Sequence, residues 1–204
     1  MPDARILVAP FQSSQHWGGD FFWFQLDSPA RWVKTGRFCG EAIWDAIWAT
    51  SNELLSESAE HTRRAIILLT DGEDTISQVR MQDAVNRAVK VDALIYAIGI
   101  GDRYQFGINE GALKKITENT GGRAYFPRNE RDLRDAFAQI QRDLREQYLV
   151  AYSPSNKTRD GSYRRITIEI VNPELRKEGF RLNYRPGYFA KTPGSTTSTN
   201  AKKP

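Results

Sequence analysis

The sequence predicts an α/β fold: a mainly parallel sheet covered by helices, followed by an antiparallel β extension. Three observations carry that prediction. Ala65-Ile66-Ile67-Leu68-Leu69 is an uninterrupted apolar run between the charged pair Arg63-Arg64 and the turn residues Thr70-Asp71-Gly72. Such a run reads as a strand buried on both faces, as in a parallel sheet between helices. From there to Tyr148 strand-like and helix-like stretches alternate, the signature of right-handed βαβ units. After Leu149 the hydrophobic period changes to two, as in antiparallel strands with one wet face.

The composition sets outer limits. The chain has 204 residues, enough for one ordinary domain or a domain with an extension. Its 40% hydrophobic and 26% charged content is that of a soluble globular protein. The net charge is only +4 and the cations are scattered among 25 acids, so no nucleic-acid partner is expected. Cys39 is the single cysteine, which excludes an internal disulfide. No apolar run approaches the length of a membrane span. The opening Met1-Pro2-Asp3-Ala4-Arg5 does not read as a signal peptide, and as it stands the chain is expected to be cytosolic.

Taken in order, Ile6-Leu7-Val8-Ala9 is a first strand stopped by Pro10, and Phe21 to Phe24 a second, joined as a hairpin. From Glu41 to Leu55 the pattern is helical. Ile43, Ile47 and Leu54 share a face, flanked by Trp44 and Trp48, whose expected fate is core packing. After the central strand, Thr75 or Ser77 is placed to cap a helix carrying Val79, Ala84, Val85, Ala88 and Val89. Ala93 to Ile98 is another buried strand, ending at Gly99-Ile100-Gly101-Asp102. Asn109 caps a helix with Leu113 and Ile116 inward, closed by Gly121-Gly122. Arg123 to Pro127 is a short strand, placed at a sheet edge by its proline. Asn129 caps the clearest helix, with Leu133, Phe137, Ile140, Leu144 and Tyr148 inward. Strands are expected at Leu149 to Tyr152, Arg164 to Val171 and Phe180 to Tyr184, and a disordered tail from Lys191. The domain expectation is an α/β unit over 1–148, an antiparallel three-strand extension over 149–190 and a tail over 191–204.

Asp71 falls at the carboxyl end of the central strand, where open α/β sheets place ligand sites. Asp71-Gly72 equally suits a plain exit turn.

Several pieces together resemble a known family. Arg64 to Thr75, Ile95 to Gly101 and Thr120 to Phe126 are similar to a von Willebrand factor type A domain. Ala42 to Ile47, Leu144 to Tyr148 with Tyr152-Ser153-Pro154, and the terminal Gly187-Tyr188 resemble its bacterial VWFA-related branch. The resemblance covers about residues 3 to 190. It implies a doubly wound sheet with a metal-ion-dependent adhesion site at the carboxyl ends of the strands. There a divalent ion, usually Mg²⁺, is held by an Asp-x-Ser-x-Ser loop, a Thr from a second loop and an Asp from a third. Mg²⁺ keeps open octahedral positions, so a partner's carboxylate can complete its shell.

On that pattern Asp71 matches the third-loop Asp. The residues after the first strand, Pro10-Phe11-Gln12-Ser13-Ser14-Gln15, lack the Asp-x-Ser-x-Ser loop, and Glu41 stands at the second-loop Thr. Asp3 to Phe11 aligns with the family's second strand, which leaves a central position beside the Asp71 strand to be filled. Three arrangements follow: a fragment of a longer secreted protein, Ile6 to Ala9 taking the empty slot, or another chain filling it. The first is expected for the origin of the sequence and the second for how this chain compacts. Asp71, Glu41 and Asp74, with Asp102, remain candidate ligands for a cation, and weak or absent Mg²⁺ binding is expected.

The leading functional expectation is therefore a non-enzymatic, adhesion-type interaction module with a degenerate or incomplete metal site and an unknown protein ligand. One alternative is a structural part of a larger exported assembly, with Tyr152, Tyr163, Tyr184 and Tyr188 as a contact patch. The other is a nucleotide-binding enzyme using Gly99-Ile100-Gly101. Against it stand the lack of a Gly-rich turn opening a helix and the absence of a nucleophile–base arrangement around His16, His61 and Cys39.

Overall fold

The structure, a computed structural model, describes residues 5–9, 22–25, 42–55, 64–101, 107–148, 150–180 and 182–192. Its main sheet contains β1 (Arg5–Ala9), β2 (Phe22–Gln25), β3 (Arg64–Thr70), β4 (Ala93–Gly99) and β5 (Ala124–Tyr125), in the order β2-β1-β3-β4-β5. β1, β3, β4 and β5 run parallel, while β2 pairs antiparallel with β1 as the expected hairpin. β1 lies directly beside β3, with Arg5 opposite Arg64 and Ala9 opposite Leu68. The strand thus takes the central slot, the arrangement expected for this chain's compaction.

Helices cover both faces. Ile66 and Leu68 of β3 pack with Ile95 and Ala97 of β4 against three helices: α1 (Ile43–Ala49), α2 (Met81–Lys90) and α3 (Glu110–Thr120). The alternate residues Ala65, Ile67, Tyr96 and Ile98 face Ile140 and Leu144 of α4 (Glu130–Arg145). The side-chain period of two sends successive residues to opposite layers, so both registers of β3 must be apolar. That is why its sequence runs apolar without a break.

The expected caps of α3 and α4 are present. Asn109 accepts from the Ala112 N–H at 3.0 Å and Asn129 from Asp132 at 2.9 Å. Gly121 closes α3 in the left-handed conformation, φ +83°. The early helix keeps its position but widens after Ala49 into a π-helical turn, Thr50–Leu55. Trp44 packs on the core beside Ile43 and Ile47, whereas Trp48 is exposed.

Three sequence expectations are corrected. α2 begins at Met81 with Arg80 as an uncapped N-cap, so neither Thr75 nor Ser77 caps it. α4 ends at Arg145, one turn short of Tyr148, which is 96% exposed rather than inward. The extension is antiparallel as expected, but among the described residues it contains two strands, not three. β6 (Tyr163–Arg165) pairs with β7 (Gly187–Phe189), with Arg164 opposite Tyr188. Between them Asn172 caps a short helix, α5 (Pro173–Lys177), by accepting from the Glu174 N–H at 2.9 Å. Proline at its first turn favours that helix and interrupts the alternating pattern. The Arg164 guanidinium meanwhile binds the carbonyls of Asn156 and Thr158, turning the 150–160 segment into a loop around it. The tail beyond 192 lies outside the described residues.

Candidate functional site at the carboxyl ends of the strands

Asp71 directly follows β3, beside the end of β4. Thr70 pairs with Gly99, and the Ile100 N–H donates to the Thr70 carbonyl at 3.0 Å. A side chain at Gly101 would start 3.2 Å from the Asp71 Cβ, so the two strand exits lie side by side. The turn is fixed from three directions. The Gly72 N–H donates to Thr70 Oγ1 at 3.1 Å, the Glu73 N–H to Asp71 Oδ1 at 2.9 Å, and the Asn109 N–H to the Asp71 carbonyl at 2.7 Å. Gly72 has φ +87°, and a Cβ there would sit 3.0 Å from both the Asn109 carbonyl oxygen and Leu113 Cγ. Glycine is required on both counts. Asp71 is therefore a turn residue and a strand-end carboxylate at once.

The loop after Asp71 is tied to the start of α1. A helix leaves its first N–H groups without intrahelical partners, and Ala42 at the N-cap has no side-chain acceptor. Asp74 and Ser77 supply acceptors from outside the helix. The Trp44 N–H donates to Asp74 Oδ2 at 3.0 Å and to Ser77 Oγ at 3.1 Å, and the Asp45 N–H donates to Ser77 Oγ at 3.1 Å. Asp45 returns the interaction, accepting from the Gln78 N–H at 3.1 Å and the Val79 N–H at 2.8 Å. Asp74 also accepts from the Ser77 N–H at 3.1 Å and from the Ser77 hydroxyl at 2.5 Å.

Of the sequence candidates, the structure thus brings Asp71 and Asp74 into one loop at the expected end of the sheet. Glu41 and Asp102 lie outside the described residues, as do His16, Cys39 and His61. Asp74 is committed to protein donors through both oxygens, and Asp71 Oδ1 to the Glu73 N–H. Among the described residues no three His, Cys, Asp or Glu side chains converge as a cation site. The role of Asp45 escaped the sequence reading, and Ser77 was assigned to the wrong helix. Both partners are some thirty residues away along the chain, beyond any local capping pattern.

The match to known proteins falls on this region. The family model of the von Willebrand factor type A domain matches residues 39–139, from just before α1 into α4. The chain carries a von Willebrand factor type A domain. Such VWA domains are in general protein-interaction modules rather than enzymes, and often bind Mg²⁺ at the strand ends. Among solved structures, one similar chain is the crystal structure of an uncharacterized membrane spanning protein from Vibrio fischeri. It is 32% identical over 40% of this chain, with a TM-score of 0.36. The match spans 48% of that chain, about half its length. No curated protein matches. No helix among the described residues is long and apolar enough to cross a membrane.

The VWA domain uses Gly99-Ile100-Gly101 for close packing. A Cβ on Gly99 would lie 2.6 Å from the Phe126 ring, and Gly101 abuts Asp71, whose carboxylate would repel a phosphate. On the opposite layer sits a polar cluster the sequence reading missed. Tyr125 Oη approaches Asp143 Oδ2 at 3.5 Å, and Gln139 Nε2 donates to Asp143 Oδ1 at 2.7 Å. Burial, reinforced by the Asp143 charge, pushes the phenols of Tyr96 and Tyr125 up to about 12 each. The spacing of Gln139 and Asp143 on α4 was the available signal.

Proposed function

We propose that this chain is a non-enzymatic, adhesion-type protein-interaction module whose metal-ion-dependent site is degenerate. The observation that supports this reading best is the commitment of both Asp74 oxygens to protein donors, Oδ2 to the Trp44 N–H of α1 and Oδ1 to the Ser77 N–H. Asp71 keeps the family position at the end of β3, while Glu41 replaces the second-loop Thr and the sequence that follows β1 contains no Asp-x-Ser-x-Ser. A longer, charged Glu in place of a neutral hydroxyl changes both the reach and the charge of the ligand set. Partner contact then rests on the side chains of the strand-end loops, among them the exposed Glu73, Thr75 and Ile76. Calorimetric titration with Mg²⁺ and Mn²⁺ tests the reading. Negligible heat is expected; tight one-site binding that Asp71→Ala abolishes would overturn it.

A second reading, a structural part of a larger assembly, is favoured by the extension. Tyr152 and Tyr163 are exposed, and edge-on ring contacts join Tyr152 to Tyr188 at 6.3 Å and Tyr163 to Phe189 at 5.3 Å. An aromatic surface of this kind suits a protein contact. Loss of partner capture on replacing Tyr152 and Tyr163, with Asp71→Ala neutral, would select this reading.

A further inference from the structure

We infer that Asp45, Asp74 and Ser77 form a metal-independent latch, coupling the first turn of α1 to the loop that carries Asp71. In a metal-bridged site, the cation draws loops from different strands together. Here hydrogen bonds between α1 and the 71–80 loop do so directly and in both directions. Asp74 and Ser77 cap α1, and Asp45 of α1 caps the backbone N–H groups of Gln78 and Val79. Each side satisfies donors that its own segment cannot, so neither segment moves without uncovering the other's. Charge-assisted bonds from carboxylates to backbone N–H groups are among the stronger ones. The latch holds the outward residues of the loop in one arrangement whether or not a cation binds at Asp71. Its test is therefore separate from that of the degenerate site: metal binding found by calorimetry would leave the latch standing.

Amide hydrogen exchange on the full chain, with chelator and then with millimolar Mg²⁺, reads the latch directly. Slow exchange is expected at Trp44, Asp45, Gln78 and Val79 in chelator, with no further slowing by Mg²⁺. Ser77→Ala should speed exchange at Asp45 about tenfold, while Trp44, which keeps Asp74 Oδ2 as an acceptor, and the α4 amides hold their rates. Asp45→Ala should do the same at Gln78 and Val79. Protection appearing only with Mg²⁺ would overturn the inference, as would unchanged exchange at Asp45 in Ser77→Ala. If Ser77→Ala unfolds the chain, α4 exchange will rise as well. Ser77→Thr, which keeps the hydroxyl, and the wild-type comparison then decide.

Discussion

Thr120 completes the hydrogen bonding of Ile95. Its Oγ1 accepts from the buried Ile95 N–H at 3.0 Å and reaches back to the Ile116 carbonyl at 3.1 Å. β5 is only two residues long and pairs with β4 at Ala97 and Ile98, so Ile95 lies beyond the ladder on that side. A helix side chain supplies what the short strand does not. Thr120→Val keeps the shape but leaves a buried N–H without a partner, which costs about 1–3 kcal/mol. Denaturant unfolding should show a lower midpoint at an unchanged slope.

Gly122 next to it admits no side chain. A Cβ there would lie 1.8 Å from the Ile95 carbonyl oxygen, a backbone atom in the middle of the sheet. Gly122→Ala should cost at least the ~3 kcal/mol at the upper end of overpacking effects. Gly111 is the contrasting case, exposed in α3, where a Cβ would meet only Asn109 Oδ1 at an ordinary 3.7 Å. Gly111→Ala should stabilise by about 0.5–1 kcal/mol through helix propensity. Thermal melts of the two variants should move in opposite directions.

Tyr96 and Tyr125 set the alkaline limit of the fold. Their pKa values are raised from an ordinary 10 to about 12, so the folded chain holds these protons more tightly than the unfolded chain. The stability they contribute is intact below pH 10 and is lost as the pH rises through 10 toward 12. Tyrosinate absorbance should show a late component that ionises together with loss of structure. Tyr96→Phe and Tyr125→Phe should each diminish it.

Phe189 anchors the extension to the α/β unit. It packs against the core beneath α2, with Lys90 Nζ 5.0 Å from its ring centre, while Arg185 pairs with Asp92 in the turn before β4. Phe189→Ala should destabilise the whole fold by about 1–3 kcal/mol, less than a fully buried aromatic. Phe180→Ala, on the exposed part of the extension, should stay within about 0.5 kcal/mol. Equilibrium unfolding of the pair tells an anchored extension from an independent one.

The elements that were legible in the sequence are those whose partners lie within a few residues. The apolar runs of β3 and β4, the caps at Asn109 and Asn129, and the glycine end of α3 are local signals, and each appears where the pattern put it. Asp71 was legible because a strand end and a turn share one short motif. Ser77 was not, because its partners are Trp44 and Asp45, reached only once α1 and β3 have packed. In the extension, alternation at Ile166, Ile168 and Ile170 read as a strand, yet Ile168 remains exposed. Alternation reports a residue's fitness for a sheet; a strand also needs a neighbour, and Asn172-Pro173 turns the chain into a helix instead.

The brevity of β5 also bears on association. Sheet edges invite pairing with other chains, and proteins blunt them with short strands and proline. This edge offers two residues followed at once by Phe126-Pro127, too little backbone to template another strand. Recruitment along that margin is disfavoured, so crowding the domain at high concentration should not zip copies together through β5. At that margin, neighbouring molecules are left to meet the loops instead of the ladder.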